Sequence, residues 1–186
     1  MIESNLVFAA PLEKRPETKH IIIYHSGVVK PHTVEDIHNW HLQRKWAGIG
    51  YHYFVNKKGE IFSGRPTDTV GAHARGYNFN SVAICFEGDF NREVISDEEI
   101  SEEVIELIFF LRNAYHADLL FFDELPGHKP VKGFRKDRFS NMLDQFFNWY
   151  YDESLHVYGT AGAISFGEWI VEFHHEHGIP LEDDTE

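Results

Sequence analysis

The sequence predicts an α/β domain with a central mixed β-sheet flanked by helices. Three observations predict it. Short β-branched or aromatic runs at residues 20–25 (HIIIYH), 81–86 (SVAICF) and 119–122 (LLFF) have the length and composition of buried strands. Stretches with helical apolar spacing separate or follow them, and a hairpin pattern at residues 51–62 adds an antiparallel pair, so the alternation is irregular and the sheet mixed. At 186 residues the chain suits one domain with a sizeable core.

In order along the chain, HIIIYH is a buried strand ending in His25. Thr33 followed three residues later by Asp36 resembles a capping box, and Val34, Ile37 and Trp40 then recur at helical spacing, which predicts a helix over residues 34–45. YHYFVN, the turn Lys57-Lys58-Gly59 and Glu60-Ile61-Phe62 read as a β-hairpin. Residues 66–80, with Pro66, Gly71 and Gly76, form a long loop of the kind that carries function. Ser96 with Glu99 predicts the start of a second helix, whose apolar face is Ile100, Val104, Leu107, Ile108 and Leu111. LLFF leads into Pro126-Gly127-His128, and a third helix is expected at about residues 139–151 with Met142, Leu143, Phe146, Phe147 and Tyr150 inward. A Gly/Ala-rich stretch near Gly159 and Gly162 suggests a domain over 1–154 and a helical C-terminal extension over 155–186, whose Phe166, Trp169, Ile170 and Phe173 would pack on the core.

Composition narrows the chemistry. A single cysteine, Cys85, excludes a disulfide framework and a multi-cysteine zinc cluster, so a metal would rest on His, Asp or Glu. A formal net charge of −13 opposes nucleic acid as a partner, because polyanions are held through Lys and Arg. No apolar run is long enough for membrane insertion, and MIESNLVFAAPLEKRPETKH lacks the order of a signal peptide, so a cytoplasmic location is expected.

Among 13 histidines, His25 and His128 stand out because each sits just past a predicted strand, where α/β sheets place their ligands. Either could be an ordinary core or surface histidine. His52, His116, His156 and the trio His174, His175 and His177 read as surface or helix residues.

The runs HIIIYHSGVVKP, WAGIGYHYFVNKKGEIFSGRP and GAHARGYNFNSVAICFEGDF, in that order over about residues 19–150, resemble the successive motifs of the type 2 N-acetylmuramoyl-L-alanine amidases, the family shared by phage lysozyme-amidases and peptidoglycan recognition proteins. The resemblance implies a zinc ion in a cleft at the strand ends and hydrolysis of the lactyl–L-alanine amide of bacterial peptidoglycan. Position by position it implies His25 and His128 as zinc ligands, Tyr51 (over Tyr53) near the reacting carbonyl, and His73, Asn78 and Asn80 on the substrate side. It further implies a phage or prophage endolysin, waiting in the cytoplasm until released to the wall.

The chain departs from the pattern after His128. Most members supply a cysteine of a Cys-Pro-Gly segment as third ligand, and GHKPVKGFRKD has none. In a minority an aspartate serves, which points to Asp137, with Arg135 or Lys136 as the cation at the oxyanion. Asp123 is the alternative ligand, and Asp137 could instead cap the third helix. Glu87, just past the central strand, is expected to be a partly exposed acid or a general base. If the site is not closed, the chain would resemble the members that bind peptidoglycan without cutting it.

Overall fold

The structure, a computed structural model, describes residues 1–158, with side chains as far as Tyr150. Strands β1 (His20–His25), β2 (Tyr53–Val55), β3 (Ile61–Ser63), β4 (Ser81–Phe86) and β5 (Asp118–Phe121) form one sheet in the order β3-β2-β4-β1-β5. β1 runs parallel to β4 and β5, and β2 parallel to β4, while β2 and β3 close the antiparallel hairpin. β1 and β4 are central and covered on both faces, which is why they read as nearly unbroken apolar runs.

Alternation along the strands divides the core in two. Ile21, Ile23, Val82, Ile84, Phe86, Tyr53 and Val55 face helices α2 (Glu102–Ala114) and α3 (Lys136–Tyr158). Ile22, Tyr24, Ala83, Cys85 and Phe54 face helix α1 (Val34–Gln43). The result is the expected mixed sheet flanked by helices. No helix among the described residues is long and apolar enough to cross a membrane.

The Thr33–Asp36 capping box starts α1: the Asp36 N–H donates to Thr33 Oγ1 at 3.3 Å and the Thr33 N–H to Asp36 Oδ2 at 2.9 Å. The second predicted box behaves differently. Ser96 and Glu99 exchange the expected bonds, but Glu99 also pairs with Lys57 Nζ at 3.1 Å, and the two residues close a separate turn. The chain buries Ile100 and starts α2 afresh at Ser101. The LLFF strand ends one residue early, since Phe122 opens a 3-10 turn, Phe122–Glu124. α3 begins at Lys136 rather than near 139 and runs through the expected domain boundary at 154. Residues 159–186, with the predicted apolar run and the histidine trio, lie outside the described residues, as does the side chain of His156.

Candidate functional site at the strand ends

The C-terminal ends of the parallel strands deliver His25 from β1, Glu87 just past β4 and Phe122 just past β5 to one edge. Phe122 is the hub. Its ring stacks on Tyr24 (centroids 5.5 Å apart, planes at 13°) and meets His25 at 5.3 Å, His128 edge-on at 5.2 Å and Phe134 at 5.8 Å. The two histidines singled out in the sequence are therefore gathered on one half-buried phenyl ring. Composition assigns Phe122 to the last buried strand, yet it lies directly past that strand, where sheets of this kind present functional side chains.

His25 is 8% exposed and packed against carbon on three sides, by Phe90 (5.6 Å), Phe122 and Phe134 (5.5 Å, planes at 80°). Its Nδ1 lies 3.2 Å from the Gly88 carbonyl and 3.3 Å from the Phe90 N–H, and Asn91 Nδ2 lies 3.5 Å from Nε2. A neutral ring carrying its hydrogen on Nδ1 donates to Gly88 and receives Asn91 at Nε2. Burial pushes the His25 imidazole below its usual range, against the hydrogen bond to Gly88 and the carboxylates of Asp89 and Asp123.

His128 is exposed on its loop, and that loop is tied from below by Asp123. The Asp123 side chain is 1% exposed; Oδ2 accepts the Val131 N–H at 2.7 Å, and Oδ1 pairs with Lys136 Nζ at 2.7 Å. Lys136 also reaches Glu124 at 3.2 Å and lies over the Phe121 ring. Arg135 is drawn away, donating to Asp97 Oδ1 at 2.9 Å and to the Ile95 carbonyl. Asp137 sits exposed in the first turn of α3.

On the other side of Tyr24 lie Tyr51, with ring centroids 5.4 Å away, and His73, whose Nδ1 is 3.0 Å from the Tyr24 hydroxyl. The Tyr51 hydroxyl hydrogen-bonds with the Cys85 side chain, and burial raises both groups. Tyr53 does not share its face: it is buried toward α2, with its hydroxyl 2.7 Å from Thr67 Oγ1, because regular alternation begins only at Tyr53. Burial, aided by Arg65 and Arg15, pushes His73 down to about 3. Asn78 holds the loop itself, its Oδ1 accepting the N–H groups of His73 and Ala74 at 2.8 and 2.9 Å. Asn80 lies at the opposite end of the sheet, where its carbonyl accepts from Lys19 and His20, five strand residues and roughly 16 Å from the His25 end.

Two histidine and acid readings change. His52 is no surface residue: it is 1% exposed, with Nδ1 accepting the Ala83 N–H at 3.0 Å and Nε2 2.9 Å from the Thr69 carbonyl, so it straps the long loop to β4. Glu87 is buried, not partly exposed, because its two oxygens accept the backbone N–H groups of His32 and Lys57 at 3.1 and 3.0 Å.

A zinc site needs three protein donors around one point. Among the described residues no three His, Cys, Asp or Glu side chains are grouped so that they could hold a metal ion. The residues as arranged do not fit the ion.

Comparison with known proteins agrees with this geometry. A family model described as N-acetylmuramoyl-L-alanine amidase matches residues 14–137. The endolysin of Escherichia phage T7 is 36% identical over 78 residues, 40% of this chain and 52% of that protein. Peptidoglycan-recognition protein LE of Drosophila melanogaster is 33% identical over 92 residues, 45% of this chain and 27% of that protein. The chain thus spans about half the length, or less, of these curated relatives. Among solved structures, N-acetylmuramoyl-L-alanine amidase LysC from Clostridium intestinale URNW superposes with a TM-score of 0.71 at 32% identity, covering 77% of this chain and 96% of that one. With the strand order, the gathering of His25 and His128 on Phe122 and a family match over two thirds of its length, the chain belongs to the N-acetylmuramoyl-L-alanine amidase family.

Proposed function

We propose that this chain binds bacterial peptidoglycan along the edge formed by its strand ends. The carrying observation is the row of rings centred on Phe122, from Tyr51 and His73 through Tyr24 to His25 and His128. Aromatic faces suit the C–H faces of a glycan, and the exposed imidazole of His128 suits its hydroxyl and amide groups. The names of the relatives, peptidoglycan-recognition proteins and amidases, support the same ligand. With a net charge of −13, attraction to anionic wall polymers does not drive the contact, so specific pairing must.

A second reading is cleavage of the lactyl–L-alanine amide, favoured by the likeness to phage endolysins and to LysC. It would require His25, His128 and Asp137 to be drawn together around zinc, which would supply an activated water. Tyr51, with Arg135 or Lys136 released from Asp97 or Asp123, would then face the developing oxyanion, and the protein would act as an endolysin on the wall.

One experiment separates them. The purified chain is sedimented with insoluble peptidoglycan, with and without chelator, and the supernatant is assayed for new N-terminal L-alanine. Binding predicts co-sedimentation unchanged by chelator, weakened by Phe122→Ala, and no release. Release that needs zinc and vanishes in His25→Ala establishes the second reading. Absence of co-sedimentation overturns the first.

A further inference from the structure

We infer that Phe134 fills the position beside His25 that a third metal donor would have to occupy, and that the cleft therefore holds no resident zinc. The claim deepens the binding reading and rests on it only for the ligand, not for the metal.

Three phenyl rings, Phe90, Phe122 and Phe134, close the carbon faces and edges of His25. The polar atoms near its nitrogens are a carbonyl, a backbone N–H and the Asn91 amide. The closest carboxylate, Asp89, stands 3.8 Å from Nδ1 but is committed elsewhere: Oδ1 accepts the Asn91 N–H and side-chain amide at 3.1 and 3.0 Å, and Oδ2 pairs with Arg92 at 3.4 Å. Asp123 is bound to Val131 and Lys136, and Asp137 is exposed on α3.

Phe134 is not a loosely placed ring that could swing aside. It is fully buried and contacts Phe90 at 5.5 Å and Phe121 at 5.2 Å as well as His25. The preceding residue fixes its entry: the Gly133 N–H donates to the Phe90 carbonyl at 3.1 Å, and the Gly133 carbonyl accepts from Ile95 at 2.9 Å. A Cβ on Gly133 would collide with the Glu93 and Phe90 carbonyls, so no bulkier residue could take this path unchanged. The segment between His128 and α3 thus brings a hydrocarbon side chain to the imidazole, held by the main core.

A donor at residue 134 would reverse this. A thiolate there would face the His25 ring, and rotation of the half-buried Phe122 ring would let His128 join it, giving the three-donor set that tetrahedral zinc and cobalt accept. The test titrates cobalt(II), then zinc, into the full-length chain and its Phe134→Cys and Phe134→Asp variants, each also made in a His25→Ala background. The wild type is expected to show no His25-dependent uptake. Phe134→Cys is expected to gain one equivalent with tetrahedral cobalt bands and thiolate-to-cobalt charge transfer, and Phe134→Asp the same bands without charge transfer. If a variant is unfolded without metal, metal-dependent recovery of its near-ultraviolet dichroism is the equivalent signal. Stoichiometric uptake by the wild type that is lost in His25→Ala overturns the inference, and so does failure of both variants to bind cobalt by either signal. Uptake by the wild type that survives His25→Ala lies outside the cleft and agrees with it. Failure of peptidoglycan co-sedimentation would instead sink the binding reading and leave the metal result standing.

Discussion

The imidazole of His25 and the phenyl ring of Phe134 stand edge to face, 5.5 Å apart at 80°, at the point of the fold where the sequence motif anticipates a ligand for the ion. That contact links a residue at the end of β1 to one more than a hundred positions later. It makes the His128 segment part of the core on one side and part of the strand-end edge on the other.

Phe122→Ala tests the hub. Truncating a buried phenyl ring costs about 3–5 kcal/mol, and because Phe122 is only half buried the expected loss is about 2 kcal/mol, read from the urea midpoint. Peptidoglycan binding should fall by more than the stability loss explains at a temperature where the variant is folded, since Tyr24, His25 and His128 all lose the ring that aligns them. Unchanged binding would show that the ring row is not the contact surface.

Asp123→Asn tests the tether beneath His128. Breaking a buried pair leaves its partner poorly satisfied, and the expected destabilisation is about 3 kcal/mol. Lys136→Met should cost at least as much, because it leaves the almost fully buried Asp123 carboxylate without its cation. A double-mutant cycle should give a coupling above about 1 kcal/mol; an additive pair would remove the tether from the account.

Gly133→Ala should destabilise the chain by about 1–3 kcal/mol, since the new methyl meets the carbonyls of Glu93 and Phe90, backbone atoms that cannot rotate away. The same push moves Phe134 from His25. The His25 ring proton resonances, shifted by three neighbouring phenyl rings, are expected to move toward their unperturbed positions; a silent spectrum would place Gly133 outside the packing of His25.

Acid should weaken the fold before any carboxylate titrates. Burial holds His41 down to about 4 and His73 to about 3, and depresses His52 well below its usual range. The unfolded chain protonates these rings at about 6.5, so below that pH the unfolded state binds more protons. Stability is therefore full above about pH 6.5 and declines as pH falls toward 4 and then 3, by up to about tenfold in the folding constant per pH unit for each ring. Urea midpoints at pH 7 and pH 5 measure it. A His41→Gln, His73→Gln double variant should show a shallower decline, and an equal slope would refute the assignment.

Local pattern suffices for the layers. β-branched runs, a capping box and helical apolar spacing depend on near neighbours, so β1, β4, α1 and the hairpin were legible from residues in order. The strand-end rule likewise picked out His25 and His128, which the fold does gather. Boundaries failed where a distant partner intervened, as when Lys57 drew Glu99 into its own turn and α2 restarted at Ser101. The roles of side chains beside the cleft were decided only in three dimensions. Tertiary packing turned His52 and Glu87 into buried straps, sent Asn80 to the far end of the sheet and tied Lys136 to Asp123. It also set Phe134 against His25, because which side chain faces an imidazole depends on how Gly133 pairs with Phe90, a contact between segments more than forty residues apart.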